Sequence, residues 1–226
     1  MRKLVWFSCG AASAVTAKLA SEKYLDLMVV YCDLSKDEHP DNQRFMQDVS
    51  RWIGKPVIII TSEKYQTTLD VFKDTRYISD PKGARCTTEM KKIPRFAFQQ
   101  PDDLHLFGYT AEEGKRITKF ELHNPELRLE WILRDKGLSK QDCFKMLTEA
   151  GIELPTMYRL GYRNNNCIGC VKATSANYWI KIKTDFPAVF RERAEISRLL
   201  GVRMAIVKGK RMFIDELPSD QRQYAW

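Results

Sequence analysis

The stretch Leu4-Val5-Trp6-Phe7-Ser8-Cys9-Gly10-Ala11-Ala12-Ser13 decides the fold of this chain. It begins with an apolar run of the kind that forms a buried strand, and the Ala- and Leu-rich stretch that follows, to about Lys23, indicates a helix. The turn between them is built of small residues. Such residues let the backbone approach an anion closely, and the helix N-terminus supplies positive potential. The candidate phosphate ligands are therefore Ser8, Cys9, Gly10, Ala11, Ala12 and Ser13. An ordinary tight turn is the alternative.

Further apolar runs continue this pattern along the chain. Residues 27–32, 57–60 and 104–109 are predicted strands, and residues 42–54 are a predicted helix with an apolar face. Continuous apolar strands separated by helices indicate a parallel sheet that is covered on both faces. The predicted fold class is therefore α/β, with a Rossmann-like parallel sheet.

The later part of the chain differs in composition and in its predicted elements. Ser139 is the predicted N-cap of a helix, the segment 155–170 is a predicted loop rich in Asn, Gly and Tyr, and residues 209–226 are a predicted hairpin or tail. We therefore predict a nucleotide-binding core over residues 1–126. A helical extension over residues 127–226, packed as one unit with the core, would carry the Cys-x-x-Cys loop.

Composition bounds the class of protein and its partners. With 226 residues, of which 44% are hydrophobic and 11% aromatic, the chain can form a packed core, which argues against disorder. The net charge of +8 is spread along the chain and favours polyanionic partners such as nucleotides, RNA or DNA. The six cysteines are too sparse for a disulfide scaffold, and no apolar run is long enough for a membrane span. We expect a reduced, cytoplasmic protein without a membrane partner.

Three cysteines carry the strongest chemical signal. Cys167-Ile168-Gly169-Cys170 places two thiols on one tight turn, and Cys86 precedes this turn by 81 residues (167 − 86). Thiolates in this arrangement suit zinc or an iron–sulfur cluster. A structural zinc knuckle and a redox dithiol are the alternatives. The Asn-rich surroundings disfavour the dithiol, which belongs in a thioredoxin-like βαβ unit.

Two other strand ends carry candidate ligands. Asp33 follows the second strand, where it could contact a ribose or an adenine edge, and a solvated loop acid is an equal alternative. The loop after the fourth strand contains Gly108, Glu113 and Arg116. Its charges could position a metal–phosphate or clamp a phosphate, and a charged surface turn is the alternative.

Taken in order, these motifs resemble the phosphoadenosine phosphosulfate (PAPS) reductase family of the PP-loop, or adenine nucleotide α-hydrolase-like, proteins. The turn at residues 8–13 is similar to the PP-loop Ser-Gly-Gly-x-Asp-Ser, with Ala12 in the place of Asp. Residues 33–40 and 108–116 resemble two further segments of that family. The resemblance runs from residue 7 to about residue 190. It implies that ATP or a related adenine nucleotide, with Mg²⁺ as a candidate companion, binds across the carboxyl ends of the strands.

The cysteines sharpen this resemblance. Adenylyl sulfate reductases with a [4Fe–4S] cluster use a Cys-Cys pair, a gap of similar length and a Cys-x-x-Cys, whereas here Thr87 replaces one member of the pair. The resemblance therefore implies a [4Fe–4S] cluster, with zinc as the alternative, whose protein ligands are Cys86, Cys167 and Cys170. One iron would be open, as in sulfur-inserting PP-loop enzymes that thiolate RNA. Otherwise a fourth ligand would come from Cys9, Cys32 or Cys143.

The implied reaction is ATP-dependent or adenylyl-linked sulfur transfer to an acceptor, and the basic charge makes RNA or DNA a candidate acceptor. No cysteine follows Cys170, so the family's C-terminal redox cysteine has no counterpart. Genuine PAPS or adenylyl sulfate reduction would then need Cys9 or Cys143 as its thiol. A non-catalytic nucleotide- or nucleic-acid-binding module with structural zinc is the third candidate. The catalytic residues and the sulfur or electron donor are left open, and a homo-oligomer is a candidate state.

Overall fold

The computed structural model describes residues 1–80 and 83–217. The strands are β1 (Lys3–Phe7), β2 (Leu27–Cys32), β3 (Val57–Ile60), β4 (Ser79–Asp80), β5 (Gly83–Ala84), β6 (Leu104–Phe107), β7 (Arg128–Glu130), β8 (Ala205–Val207) and β9 (Lys210–Met212). The helices are α1 (Ala11–Lys23), α2 (Asn42–Ile53), α3 (Thr68–Thr75), α4 (Arg85–Thr87), α5 (Ile93–Phe98), α6 (Gly114–His123), α7 (Ile132–Asp135), α8 (Lys140–Glu149), α9 (Thr156–Arg159), α10 (Ala176–Asp185) and α11 (Pro187–Leu199).

A five-stranded parallel sheet has the order β3-β2-β1-β6-β7. The central strand β1 pairs with β2, where Val5 lies opposite Val29, and with β6, where Val5 lies opposite Leu106. From β1 the chain first builds β2 and β3 on one side and then β6 and β7 on the other, so the strand order reverses between β1 and β6. Ligands of open α/β sheets bind at the carboxyl ends of the strands at such a reversal. The predicted α/β fold class with a parallel sheet is confirmed.

The two faces of this sheet pack against different elements. Val5 and Phe7 belong to a large apolar core that includes the buried side of α1. Leu4 and Trp6 belong to a smaller core, on which Phe107 and Phe98 of α5 pack. This alternation follows from the two-residue period of a strand, and it puts α1 and α5 on opposite faces of the sheet.

Local signals explain where several helices begin and end. Ser139 caps α8 as predicted: its hydroxyl accepts the N–H of Asp142 at 3.2 Å, and the Asp142 carboxylate accepts the N–H of Ser139 at 2.8 Å. Gly54 ends α2 in the left-handed conformation, with a φ of 65°. In residues 1–80 and 83–217, no helix has the length and apolar character that crossing a membrane requires.

The structure differs from the sequence-based expectations at several boundaries. The strand predicted over residues 104–109 ends at Phe107, and the predicted loop 155–170 contains the short helix α9. The predicted C-terminal hairpin begins earlier than residue 209, because β8 pairs with β9 in antiparallel fashion from Ala205. The last part of that prediction, residues 218–226, lies outside the described residues.

The described chain divides into two compact units that alternate along the sequence. The first contains the five-stranded sheet and comprises residues 1–35, 39–61 and 94–165. The second comprises residues 36–38, 62–80, 83–93 and 166–217. The boundary at residue 126 between a core and an extension stays a prediction.

Candidate functional site

The turn after β1 holds a residue in an uncommon backbone conformation. Cys9 has a φ of 53°, in the left-handed region that few residues other than glycine adopt. The side chain of Asn165 stabilises this conformation: its Nδ2 donates to the carbonyl oxygen of Cys9 at 2.6 Å and to Oδ1 of Asn42 at 2.8 Å. Because Asn165 is buried, water does not compete for these bonds. The protein alone therefore holds the turn in shape.

Hydroxyl groups brace the same turn from within. The backbone N–H of Ser8 donates to Oγ of Ser13 at 3.1 Å, and the Ser13 hydroxyl donates to the carbonyl oxygen of Gly10 at 2.9 Å. Among the described residues, no side chain caps the N-terminus of α1 at Gly10, and the Ala11 N–H makes a long hydrogen bond of 3.4 Å to the Tyr158 hydroxyl. Among the predicted phosphate ligands, Ser8 is exposed, whereas the Cys9 side chain is buried. Cys9 can therefore act only through its backbone.

The loop after β6 lies directly against the first turn of α1. A Cβ atom at Gly108 would be 2.5 Å from the backbone nitrogen of Ser13 and 2.8 Å from the carbonyl carbon of Ala12. Only glycine permits this approach of two backbones. The loop after β6 and the first turn of α1, which lie on either side of the reversal of the strand order, are therefore in contact.

Asp33 lies at the same edge of the sheet, after β2. Its N–H donates to the carbonyl oxygen of Ile60 at 2.8 Å, and its carboxylate accepts the N–H of Ser35 at 2.8 Å. The carboxylate thus orders its own loop and remains half-buried. Parallel pairing places Asp33 at the same edge as the turn after β1, and its predicted contact with ribose or adenine stays a prediction.

Glu113 and Arg116 are paired with each other. Nη1 of Arg116 donates to the Glu113 carboxylate at 2.6 Å, and that carboxylate also accepts the N–H of Thr110 at 3.1 Å. The Arg116 guanidinium lies 4.4 Å from the centre of the Tyr109 ring. A phosphate or Mg²⁺ at this loop would have to compete with the existing pairing, so the predicted roles of both residues stay predictions.

The sequence analysis missed Lys140. Its ammonium donates to Oδ1 of Asn164 at 3.1 Å and to the carbonyl oxygen of Arg163, and it lies 5.1 Å from the centre of the Tyr158 ring. Burial, with a further contribution from Arg163, lowers the pKa of Lys140. The hydroxyl of Tyr158 in turn accepts the N–H of Ala11. The Lys140 cation therefore lies near the turn after β1.

The three predicted metal ligands, Cys86, Cys167 and Cys170, all belong to the second unit. Burial raises the pKa of Cys86 to about 11, and Cys170 adds to that rise. Burial also raises the pKa of Cys167 well above its usual range, and Cys170 again contributes. A thiol that is buried in this way stays protonated unless a cation or a metal stabilises the thiolate. Cys170 therefore lies close enough to both other cysteines to raise the pKa of each.

A glycine shapes the Cys-x-x-Cys turn. Gly169 has a φ of 63°, and a Cβ atom there would lie 2.9 Å from Cγ1 of Val189. The turn is also held by the N–H of Cys170, which donates to the Tyr178 hydroxyl at 2.7 Å. The conformation expected from the sequence, in which Gly169 relieves the backbone between the two cysteines, is present.

A buried arginine lies against this turn. Arg193 is 3% exposed, and its Nη2 donates to Oδ1 of Asp37 at 3.0 Å and to Oγ1 of Thr68 at 2.7 Å. Its Nη1 lies 3.2 Å from the Glu192 carboxylate, and its Nε is buried without a hydrogen-bond partner. A Cβ atom on Gly169 would lie 3.2 Å from Cγ of Arg193. A buried N–H donor without an acceptor, against the Cys-x-x-Cys turn, fits an anionic group such as thiolates that bind a cluster.

The side chains do not, however, converge on a metal. Nowhere in the described part of the chain are three or more His, Cys, Asp or Glu side chains grouped so that they could hold a metal ion. The chemistry of the three cysteines and the unbonded Nε of Arg193 fit an iron–sulfur cluster. The cluster itself stays a prediction.

Two cysteines named as candidate nucleophiles are poorly suited to that role. Cys143 is fully buried in α8, where burial, with a smaller effect of Asp142, raises its pKa to about 12. Cys9 is 1% exposed. A nucleophilic cysteine needs both a thiolate and access to its substrate, and Cys143 has neither.

The parallel sheet, with its reversal between β1 and β6, gives the chain an α/β fold similar to that of a PAPS reductase. A solved structure with this fold is the crystal structure of phosphoadenylyl-sulfate (PAPS) reductase from Candida auris in complex with phosphate. The two chains superpose with a TM-score of 0.55 and 13% sequence identity, over 74% of this chain and 81% of the other. No protein-family model and no curated protein sequence matches the chain. At this identity the likeness establishes the fold.

Proposed function

We propose that the chain is an adenine-nucleotide-binding enzyme that transfers sulfur to an acceptor activated by ATP or by an adenylyl group. The observation that carries this proposal is the contact between Gly108 and the first turn of α1 at the reversal of the strand order. A glycine that lets a loop pack on the first turn of a helix, at the edge where ligands of such sheets bind, supports this proposal, because backbone N–H groups at a helix N-terminus bind phosphates.

In this proposal the first unit binds and orients the nucleotide. Backbone N–H groups at the start of α1 and the exposed Ser8 hydroxyl bind the phosphates. The acceptor oxygen attacks the α-phosphorus of ATP, and pyrophosphate leaves. A sulfide-level sulfur donor then displaces AMP from the activated acceptor, so that no net oxidation or reduction is needed. The rigid turn held by Asn165 keeps the α-phosphate in place for the first step.

The second unit would hold an iron–sulfur cluster with Cys86, Cys167 and Cys170 as its ligands. When bound, such a cluster would offer an iron that can take up the incoming sulfur. Arg193 already pairs with Asp37 and Glu192, and its buried Nε, which has no acceptor, would donate to this anionic group. The net charge of +8 favours RNA or DNA as the acceptor.

Sulfonucleotide reduction is a second candidate, because the solved structure with the same fold is a PAPS reductase. It needs a thiol that attacks the sulfonyl sulfur. The burial of Cys9 and Cys143 argues against either residue in that role.

The nucleotide site can be tested by calorimetry with a pair of variants at one position. A Cβ atom at Gly10 would lie 3.4 Å from the Tyr158 hydroxyl, which is an ordinary contact, so Gly10→Ala should still bind ATP. Gly10→Val adds a branched side chain at the mouth of the turn, and we expect it to lose ATP binding. Wild-type protein that does not bind ATP, or Gly10→Val that binds like wild type, would contradict the proposed site.

Turnover separates the candidate functions. Release of AMP and pyrophosphate from ATP that depends on both sulfide and RNA supports the proposal. Sulfite release from PAPS with thioredoxin present would replace it by the reductase function. ATP binding without either reaction, in a protein that contains one zinc and no sulfide, would identify a binding module with structural zinc.

A further inference from the structure

Arg95 in α5 is a buried arginine that forms no ion pair with the described residues. The residue is 8% exposed, and its Nε is buried without a hydrogen-bond partner. Glu126 lies within electrostatic reach of the guanidinium but does not pair with it in residues 1–80 and 83–217. Its neighbours are instead aromatic rings, with the centres of Phe96 and Phe107 at 4.9 Å and 5.7 Å. A guanidinium stays charged at every physiological pH, so removing it from water without an anion is costly.

The position of Arg95 explains where such an anion would bind. Burial lowers the pKa of Arg95, while Cys32, Tyr109 and Glu126 oppose this shift, so the guanidinium lies within electrostatic reach of all three. Cys32 ends β2, and Tyr109 follows the end of β6. These strands are the two neighbours of β1, and all three run parallel. Arg95 is therefore located at the carboxyl edge of the sheet, near the end of β1.

Arg95 and α1 approach this edge from opposite faces of the sheet. The ring of Phe107, beside the guanidinium, packs on the core formed by Leu4 and Trp6. Helix α1 packs on the other core, which contains Val5 and Phe7. A ligand at the carboxyl edge would thus meet the N-terminus of α1 on one side and a guanidinium on the other.

We propose that Arg95 recognises a second oxyanion group, phosphoryl or sulfonyl, of the nucleotide whose first phosphate binds at the turn after β1. This inference rests on the proposed nucleotide site and assigns a specificity to it. We expect that site to bind ligands with two oxyanion groups more tightly than AMP. The flat guanidinium can donate two parallel hydrogen bonds to such a group, and the ligand's negative charge compensates the buried positive charge.

Calorimetry with four nucleotides tests this inference. AMP has one oxyanion group. ADP adds a second phosphoryl group and adenosine 5′-phosphosulfate adds a sulfonyl group on the 5′ side, whereas adenosine 3′,5′-bisphosphate adds a phosphoryl group at the 3′ position. We expect wild-type protein to bind at least one of these three about tenfold or more tightly than AMP. Arg95→Met should abolish that gain and leave AMP affinity unchanged, and Arg95→Lys should retain part of it. Arg51→Met, an exposed arginine on α2, should bind like wild type.

Thermal unfolding without ligand distinguishes a ligand-binding arginine from a structural one. Arg95→Met removes an uncompensated buried charge and fills the same space, so we expect its melting temperature to equal or exceed that of wild type. A lower melting temperature for Arg95→Met would overturn the inference. It would also be overturned if this variant still bound a nucleotide with two oxyanion groups more tightly than AMP, or if wild-type protein showed no such preference.

The inference and the proposed function can fail separately. If all four nucleotides bind but Arg95→Met does not change their order of affinity, the inference is wrong and the nucleotide site stands. If no adenine nucleotide binds, while inorganic phosphate binds to wild type and not to Arg95→Met, the proposed function is wrong and the anion site at Arg95 stands.

Discussion

The turn after β1 and the turn at residues 167–170 differ in how fully the protein itself satisfies their polar groups. In the first, Asn165 holds the strained Cys9, the Ser13 hydroxyl bonds Gly10, and Gly108 closes the contact between the loops. In the second, the half-buried thiols of Cys86 and Cys167 have a raised pKa, and Nε of Arg193 is buried without an acceptor. The protein's own hydrogen bonds hold the first turn in shape, whereas the second has a buried donor that they leave unsatisfied.

This difference has an energetic meaning. A preformed turn binds its ligand without an additional cost of ordering the chain. Buried donors without acceptors and thiols without a metal cost free energy, and a bound metal offsets that cost. We therefore expect nucleotide binding to leave the first unit nearly unchanged, and cluster binding to stabilise the second.

The largest effect is expected where two backbones touch. Gly108→Val would force a side chain to within 2.5 Å of the Ser13 nitrogen, and backbone atoms cannot rotate away. We expect a loss of about 3 kcal/mol or more in the free energy of unfolding, and loss of ATP binding. Urea denaturation and calorimetry measure both. In the matched control Gly114→Ala nothing lies within 4 Å of the added Cβ, and we expect unchanged or slightly higher stability.

The second prediction concerns the incomplete turn. Cys167→Ala in anaerobically prepared protein should reduce iron from about four atoms per chain to nearly none. The free energy of unfolding should fall by about 2–3 kcal/mol relative to wild type with its cluster, because metal binding contributes to folding. Cys32→Ala, at the end of β2, is the control and should retain its iron. Iron retained in Cys167→Ala, or lost in Cys32→Ala, would show that the ligands are assigned wrongly.

A smaller effect is expected when the brace of the first turn is removed. Asn165→Ala leaves the Cys9 carbonyl and Asn42 without their buried donor, which should cost about 1–2 kcal/mol of unfolding free energy. ATP affinity should also fall, because the turn loosens. The exposed neighbour in Asn166→Ala should change neither quantity. Equal stability of the two variants would mean that the turn is held by other contacts.

The smallest effect is a dependence of stability on pH. Since the pKa of Cys143 is raised to about 12, its thiol loses its proton in the unfolded chain first as the pH rises above about 9. The contribution of the protonated Cys143 thiol to the free energy of unfolding is complete below pH 9 and should decrease by about 1 kcal/mol by pH 10. Chemical denaturation of wild type and Cys143→Ala at several pH values measures this. The stability difference between them should narrow with pH, and a constant difference would contradict the assignment.

The sequence predicted the features that are local. Continuous apolar runs located β1, β2 and β3, small residues located the turn between β1 and α1, and a serine located the start of α8. It did not reveal β7, which is a short edge strand with charged residues at both of its ends, or the polar helix α6.

What the sequence could not show depends on distant packing. Asn165 and Cys9 are 156 residues apart, and only the fold brings them within 2.6 Å. Arg95 and Arg193 stand among ordinary helical residues, and their significance comes from being buried without full sets of acceptors. The one available hint was the run Asn164-Asn165-Asn166 beside the Cys-x-x-Cys, which the sequence analysis treated only as a loop.

The central claim is that the cysteine turn is completed by an iron–sulfur cluster. It is tested most directly by the iron, zinc and acid-labile sulfide content of protein purified without oxygen, together with its absorption near 400 nm. The account predicts about four irons and four sulfides per chain. One zinc without sulfide would contradict it, as would protein that contains no metal and cannot be reconstituted with iron and sulfide.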